Sequence, residues 1–355
     1  MTQPSVGAGG FTYAASGVDI DAGERAVTLM RTAVERTRRP EVVGGLGGFA
    51  GLFALDTARY RRPLLASSTD GVGTKIALAR ALDRHDTVGI DLVAMVVDDL
   101  VACGAEPLFL QDYVACGKVV PERIAAIVTG IAAGCEQAGA SLVGGETAEH
   151  GDLMDADEYD LAATAVGVVE ADAVLGPERV RDGDAVVAMA SSGFHSNGYS
   201  LVRRVVSAAG LHLAATPAGL DRPLGDVLLE PTRIYALDCL ALVAELGVDG
   251  VHALAHITGG GLAGNTARVL PEGLQAVLDR GTWALPAAVH LLEEHGVPRA
   301  ESERAFNCGV GMVAVVAAEA ADRAVALLTA RGVPAWVAGT VGTGDAGARL
   351  VGSYR

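Results

Sequence analysis

From residue 63 onward, the chain alternates short apolar runs with longer segments of helical period, and glycine-rich turns separate the two. The strand-like runs include "PLLASST" (63–69) and "YDLAATAVGVVE" (159–170), and the helix-like segments include 87–103 and 121–138. Alternation of this kind is typical of a chain in which helices cover each sheet. We therefore predict an α/β fold with α+β-type layers, and the periodicity leaves open whether the strands run parallel.

A charged segment near 170–184 interrupts the alternation, because it contains glycine and proline and has no clear period. A chain of 355 residues is also long for a single core. We predict two α/β domains, over 61–174 and 175–355. The glycine-rich segment 1–60 is predicted to pack with the first of them.

The formal net charge of −16 argues against a nucleic-acid or anionic-membrane surface, because the long-range field repels polyanions. A phosphorylated small molecule can still bind with local help. That help comes from backbone N–H groups, from a few Arg or Lys side chains, or from Mg²⁺ held by carboxylates.

The five cysteines are scattered, odd in number and without a C-x-x-C pair, which favours reduced thiols and argues against a zinc site. The N-terminus lacks a signal-peptide pattern, and no uncharged apolar run is long enough to cross a membrane. We therefore expect a cytoplasmic protein with neither a membrane nor a nucleic-acid partner.

The stretch "STDGVGTK" (68–75) looks like a phosphate loop but fails the P-loop spacing, since Thr74 precedes Lys75 and no glycine stands five residues before Gly73. What remains is Asp70 at the end of a predicted strand, followed by a glycine turn and a cation. These groups suit a metal–phosphate site. The alternative is a strand-to-helix turn in which Asp70 caps the helix.

The helical segment 87–103 is apolar nearly all round, yet it carries three aspartates. Residues seven apart return to nearly the same face, so Asp91 and Asp98 point one way and Asp99 lies about 100° further round. Buried carboxylates are costly unless paired or bound to metal. We favour a metal role for Asp98 and Asp99 over the alternative, in which they meet an arginine or cap a loop.

Three further strand ends lead into glycine-containing turns. Glu146 follows Gly144 and Gly145, and a longer turn, "SSGFHSNG" (191–198), places His195 among hydroxyls and open backbone amides before a helix. A helix N-terminus with free N–H groups is suited to phosphate. The third turn, 258–261, repeats the pattern after His256, which we interpret as a core histidine.

Ten fragments, read in order along nearly the whole chain, resemble one family. They are "GVDIDAG" (17–23), "RRPEVVGGLGGF" (38–49), "STDGVGTK" (68–75), "GIDLVAMVVDDL" (89–100), "GAEPLFLQDY" (104–113), "LVGGETAE" (142–149), "SSGFHSNGYSLVR" (191–203), "PTRIY" (231–235), "HITGGG" (256–261) and "FNCGVGM" (306–312). The chain is thereby similar to the phosphoribosylformylglycinamidine cyclo-ligases, or aminoimidazole ribonucleotide synthetases, of purine biosynthesis.

The resemblance implies two domains, each a sheet backed by helices, and a homodimer in which the N-terminal sheets meet in a central barrel. It also implies ATP and Mg²⁺ as cofactors and formylglycinamidine ribonucleotide as substrate. In that reaction ATP phosphorylates the formyl amide oxygen, and the amidine nitrogen then closes the imidazole ring, releasing ADP and phosphate. Such chemistry needs charge neutralisation and positioning more than a protein nucleophile.

The resemblance also implies roles for individual residues. Asp70, Asp98 or Asp99, and Glu146 are candidates to hold Mg²⁺. Asp70 and Lys75 act at the reacting phosphate, and His195 is a candidate proton carrier. The glycine segment 44–48 closes over ligand and excludes water. The predicted nucleotide and phosphate contacts are Gly44, Gly45, Gly47, Gly48, Gly71, Gly73, Thr74, Ser192, Gly193, Ser196, Asn197, Gly198, Thr258, Gly259 and Gly260.

Three positions depart from the family pattern. Ala14 and Arg31 stand where members often have lysine, which puts an N-terminal catalytic lysine in doubt, and Phe194 replaces a frequent proline. The alternative enzyme is another ATP-dependent small-molecule kinase of the superfamily, such as thiamine-monophosphate kinase. A non-catalytic nucleotide-binding scaffold is the alternative from another class.

Overall fold

The computed structural model describes residues 18–45, 47–345 and 347–355. Ala14 therefore lies outside the described residues. The first sheet has four strands in the order β3-β6-β4-β5. Its strands are β3 Pro63–Gly71, β4 Glu106–Cys116, β5 Ser141–Glu149 and β6 Tyr159–Glu170. Before it in the chain, β1 Val42–Val43 and β2 Leu52–Phe53 form a separate two-stranded sheet.

Four helices accompany this sheet: α1 Ile20–Arg36, α2 Ile76–Ala81, α3 Thr87–Ala102 and α4 Pro121–Ala138. Asp19 caps α1 by accepting a hydrogen bond from the Ala22 amide at 3.0 Å. The residue just before α3 touches the α4 backbone where Gly130 meets the carbonyl of Asp86, since a Cβ at Gly130 would overlap that oxygen. The contact fixes α3 closely against its neighbour.

The second sheet has six strands in the order β12-β9-β11-β7-β10-β8. Its strands are β7 Ala185–Ala190, β8 Val251–His256, β9 Leu274–Asp279, β10 Val310–Val316, β11 Ala335–Thr343 and β12 Gly347–Val351. The helices of this half are α5 Tyr199–Ala208, α6 Leu224–Leu228, α7 Ala236–Leu246, α8 Gly261–Ala267, α9 Ala287–Glu294, α10 Arg299–Ala305 and α11 Ala321–Ala330. Strands β7, β8 and β10 are buried almost throughout, so this sheet is the centre of the C-terminal core.

The predicted α/β fold, with two sheets backed by helices, is confirmed. Most pairs are antiparallel, and β4·β5 and β9·β12 are parallel, which the periodicity left open. The sequence patterns missed α6, α10, β12 and the two-residue strands β1 and β2. These elements are too short to show a period, and tertiary contacts decide their conformation.

Candidate functional site

A cavity of about 650 Å³ lies beside the edge strand β5. We call it the β5 cavity, and its walls come from α1, the glycine-rich residues 45 and 47–51, β4, α4 and β5. It brings together the predicted residues Gly45, Gly47, Gly48 and Glu146, and Arg31 lines it as well. The volume is in the range that small-molecule ligands occupy.

The wall of the β5 cavity contains a buried carboxyl group that the sequence analysis missed. Asp112 on β4 is 9% exposed, and burial raises the pKa of its carboxyl to about 7. A signal for it was present, because Leu110, Asp112 and Val114 alternate with exposed residues along β4. That alternation places Asp112 on the buried face, where an unpaired acid needs an explanation.

The predicted metal ligands do not form one cluster. Strand register places Asp70 opposite Ala163, Ala163 opposite Asp112, and Asp112 beside Gly145, so Asp70 and Glu146 belong to the two edge strands. Three strand spacings separate them by about 14 Å. Among the described residues, no three His, Cys, Asp or Glu side chains stand together to hold a metal ion. Within one chain, the strand order therefore keeps Asp70 and Glu146 apart.

Asp99 and Asp70 interact with His256, which its sequence context predicted to be a core residue. Asp99 on α3 is half-exposed and accepts a hydrogen bond from His256 Nδ1 at 2.9 Å. Burial alone would lower the pKa of His256, but that hydrogen bond and the charges of Asp98, Asp99 and Asp70 raise it. Asp70 itself is exposed, and its Oδ1 accepts a hydrogen bond from the amide of Gly71.

Asp98 is fully buried, and its carboxylate binds the start of helix α7 in the C-terminal half of the chain. Its Oδ1 accepts a hydrogen bond from the amide of Tyr235, directly before α7, at 2.9 Å. Burial raises the pKa of Asp98 to about 7, against the opposing charge of His256. The alternative reading, in which an α3 aspartate caps a neighbouring segment, therefore describes Asp98 better than a solvent-facing metal ligand.

Lys75 makes a buried ion pair with Asp91 at 2.8 Å, and both side chains are fully enclosed. Its ammonium also donates to the carbonyls of His195 at 2.9 Å and Glu230 at 2.6 Å. Burial lowers the pKa of Lys75 and raises that of Asp91, and the ion pair opposes both shifts. With three donors engaged, the predicted contact between Lys75 and phosphate does not fit this geometry.

Asp91 completes this network from the other side. Its Oδ1 accepts hydrogen bonds from Thr232, from the amide at 2.8 Å and from the hydroxyl at 2.6 Å. Lys75 and Asp91 belong to the first half of the chain, whereas His195, Glu230 and Thr232 belong to the second. The pair therefore joins the turn after β3 and helix α3 to two loops of the C-terminal half.

In the turn 191–198, which we predicted to bind phosphate, the side chain of His195 hydrogen-bonds to the backbone of the same turn. Its residue His195 is 1% exposed and has a positive φ of 61°, and its Nε2 accepts a hydrogen bond from the Ser192 amide at 3.3 Å. Burial lowers the pKa of His195 well below its usual value. In this conformation the imidazole is neutral and enclosed, so it does not fit the predicted role of proton carrier.

The side chains of this turn also point inward. The hydroxyls of Ser192 and Ser196 donate to the carbonyls of Pro231 and Val72 at 2.6 and 2.7 Å, and the Asn197 amide lies 3.8 Å from the sulfur of Met95. What the turn offers a ligand is therefore its backbone, including Gly193 and Gly198.

Two other predicted turns lie against it. Thr74 Oγ1 is 3.1 Å from the hydroxyl of Ser200, so the turn with Gly71 and Gly73 borders α5. On the other side, Gly259 faces Asn197, and Asn265 fixes the turn by donating to the carbonyls of Thr258 and Gly259. Gly260 closes this turn with a positive φ of 99°. The structure thus groups three of the predicted glycine turns, while Gly44 precedes the β5 cavity without lining it.

Within the described part of the chain, no helix combines the length and apolar character needed to cross a bilayer.

Comparisons with known proteins fit this geometry. Residues 55–169 match the model of the AIR synthase related protein N-terminal domain, and residues 181–351 match that of the C-terminal domain. The chain is 52% identical over 344 residues to a phosphoribosylformylglycinamidine cyclo-ligase of Myxococcus xanthus, covering 96% of this chain and 99% of that protein.

Solved structures share the fold at low sequence identity. Thiamine-monophosphate kinase from Stenotrophomonas maltophilia is 20% identical with a TM-score of 0.67, over 93% of this chain and 97% of the kinase. Hydrogenase maturation protein HypE in complex with ATP is 19% identical with a TM-score of 0.66, over 96% and 95% of the two chains. These likenesses concern the fold.

Proposed function

Since the chain belongs to the phosphoribosylformylglycinamidine cyclo-ligase family, we propose that its β5 cavity binds the ATP that drives the family's reaction. The protein is an enzyme of de novo purine biosynthesis that converts formylglycinamidine ribonucleotide into 5-aminoimidazole ribonucleotide, ADP and phosphate. The observation that carries this conclusion is identity of half the residues over nearly the whole length of both chains. The kinase alternative rests on distant fold relatives only.

The β5 cavity supports nucleotide binding in three ways. Its apolar walls suit an aromatic base, and its exposed glycine segment presents backbone without side chains. Arg31 adds a cation and Glu146 a carboxylate at the same wall. A solved relative of the fold contains ATP, which agrees with this use.

The exposed carboxylates fit Mg²⁺ at two separate positions rather than at a single one. Mg²⁺ takes oxygen ligands and usually binds through one or two protein carboxylates together with substrate phosphates. We assign Asp70 and Asp99, which both act on His256, to one such position, and Glu146 to the β5 cavity. When bound, the ion neutralises charge on the transferred phosphoryl group.

The grouped glycine turns suit the phosphate of the ribonucleotide or of ATP. Backbone N–H groups of the 191–198 and 258–260 turns can donate to phosphate without adding net charge. The Lys75–Asp91 pair holds the first of these turns, so its amides are preorganised and need little ordering on binding. Phosphorylation of the formyl oxygen then creates a good leaving group for ring closure by the amidine nitrogen.

Product analysis tests the activity. Purified protein is expected to form ADP and phosphate only when formylglycinamidine ribonucleotide is present, together with the aminoimidazole product. Thiamine monophosphate is expected to give no ADP above background. ADP formation with thiamine monophosphate and none with the ribonucleotide would assign the protein to the kinase class instead.

The homodimer is proposed to form through the open face of the first sheet. Leu65 on β3 is 68% exposed and Tyr113 on β4 is 42% exposed, and each lies on the face opposite to the buried Asp112. Exposed apolar side chains on a sheet face favour an interface there. Two such sheets packed face to face would form the barrel that the resemblance implies.

Substitution of Leu65 by aspartate is expected to convert the dimer into monomer, because a charge would be buried in the packed sheet face. Sedimentation velocity measures the outcome. Leu153→Asp is the matched control, since Leu153 is 81% exposed in a loop. An unchanged sedimentation coefficient for the Leu65 variant would place the interface elsewhere.

A further inference from the structure

The carboxyl group of Asp112 has few hydrogen-bond donors around it. Apart from its own backbone N–H, no donor among the described residues reaches its side chain. A carboxyl that is 9% exposed and bonded only to its own backbone N–H among the described residues has lost most of its hydration, which costs free energy unless a partner replaces it. Because Asp112 lines the β5 cavity, the missing partner can come from a ligand in that cavity.

The position of this carboxyl depends on a glycine in the neighbouring strand. A Cβ at Gly145 would overlap Oδ1 of Asp112, so any larger residue there would force the carboxyl to move. Gly145 is part of the same wall. The wall is therefore shaped so that the carboxyl oxygen lies over bare backbone at the cavity surface.

The cavity also has apolar lining residues. They include Ala26, Val27 and Met30 of α1, Val128 of α4 and Leu142 of β5. Surroundings of this kind favour a flat aromatic ring, and they leave the polar edge of such a ring to be satisfied by Asp112.

We propose that Asp112 is a specificity-determining residue that binds the amino-bearing edge of the adenine base of ATP. The inference rests on the proposed use of the β5 cavity for ATP. The carboxyl oxygen accepts a hydrogen bond from the exocyclic amino group, and the protonated form also donates its O–H to the ring nitrogen beside it. Burial favours the protonated form, since it raises the pKa of Asp112 to about 7.

Recognition of the amino-bearing edge depends on the oxygen that accepts from the exocyclic amino group. Guanine presents a carbonyl acceptor at that position and a ring N–H beside it, so a protonated carboxyl pairs with guanine only when its two oxygens exchange roles.

The test compares ATP with purine riboside triphosphate, which lacks the amino group, by equilibrium calorimetry on the full chain. Wild-type protein is expected to bind the analogue about tenfold more weakly, as for loss of one hydrogen bond in a buried site. Asp112→Asn keeps one donor and one acceptor and is expected to retain this ratio. Asp112→Ala and the volume-filling Asp112→Val are expected to bind the two nucleotides equally.

Each contrary outcome has a separate meaning. Failure of wild-type protein to bind ATP overturns the proposed function and the inference with it. ATP binding with equal affinity for the analogue in wild type, or a tenfold ratio retained in the Ala or Val variant, overturns the inference alone. Thermal unfolding of each variant shows that the compared proteins are folded, and Asp112→Val provides the result if Asp112→Ala does not fold.

Discussion

Replacement of Lys75 by methionine is expected to lower the free energy of unfolding by about 3–5 kcal/mol. The substitution leaves the carboxylate of Asp91 buried with Thr232 as its one donor among the described residues, and it leaves two loop carbonyls without their ammonium partner. Removing one member of a buried ion pair is costly because the remaining charge stays desolvated. Urea unfolding at neutral pH, followed by circular dichroism, measures the change.

A double variant separates the cost of the unpaired Asp91 charge from the cost of lost packing at Lys75. The double variant Lys75→Met with Asp91→Asn removes the uncompensated charge and is expected to recover part of the lost stability. Arg61→Met is the matched control, because Arg61 pairs with Asp172 at 2.7 Å with both side chains exposed. That control is expected to change stability by less than about 1 kcal/mol. Equal losses for the buried and exposed pairs would show that Lys75 does not join the two halves.

Replacement of Asp70 by asparagine is expected to reduce kcat by about 100-fold or more and to raise the Mg²⁺ concentration needed for half-maximal rate. An amide is a weaker ligand than a carboxylate and carries no charge to offset that of the ion. Stability is expected to change little, since Asp70 is exposed and its described contact is the adjacent Gly71 amide. Steady-state rates over a magnesium titration measure both effects.

Asp152→Asn is the control for this substitution, because Asp152 is an exposed loop aspartate outside the proposed site. It is expected to keep the wild-type rate and magnesium dependence. Turnover and magnesium requirement that are unchanged in the Asp70 variant would contradict the role of this carboxylate in phosphoryl transfer.

Local periodicity was enough to predict much of the fold and part of the site. The helical period placed Asp91 and Asp98 on one buried face of α3, and both are fully enclosed there. The strand "YDLAATAVGVVE" matches the bounds of β6, Tyr159–Glu170. These features depend on neighbours within a few residues, which a sequence displays directly.

Partners distant in the chain could not be predicted in this way. Lys75 meets the carbonyls of residues 120 and 155 positions further on, and no pattern around "DGVGTK" shows that its ammonium is already occupied. His256 was interpreted as a core residue, and the structure adds its contact with Asp99, 157 positions away. The separation of Asp70 from Glu146 likewise follows from strand order, which similar strand-end motifs do not reveal.

Three aspartates of helix α3 connect the two halves of the chain. Along its length, Asp91 binds Thr232, Asp98 binds the Tyr235 amide and Asp99 binds His256, all in the second half of the chain. Hinge rotation of one half against the other would break these contacts together. We therefore expect the catalytic cycle to proceed on a stiff frame, with motion confined to peripheral segments such as 47–51.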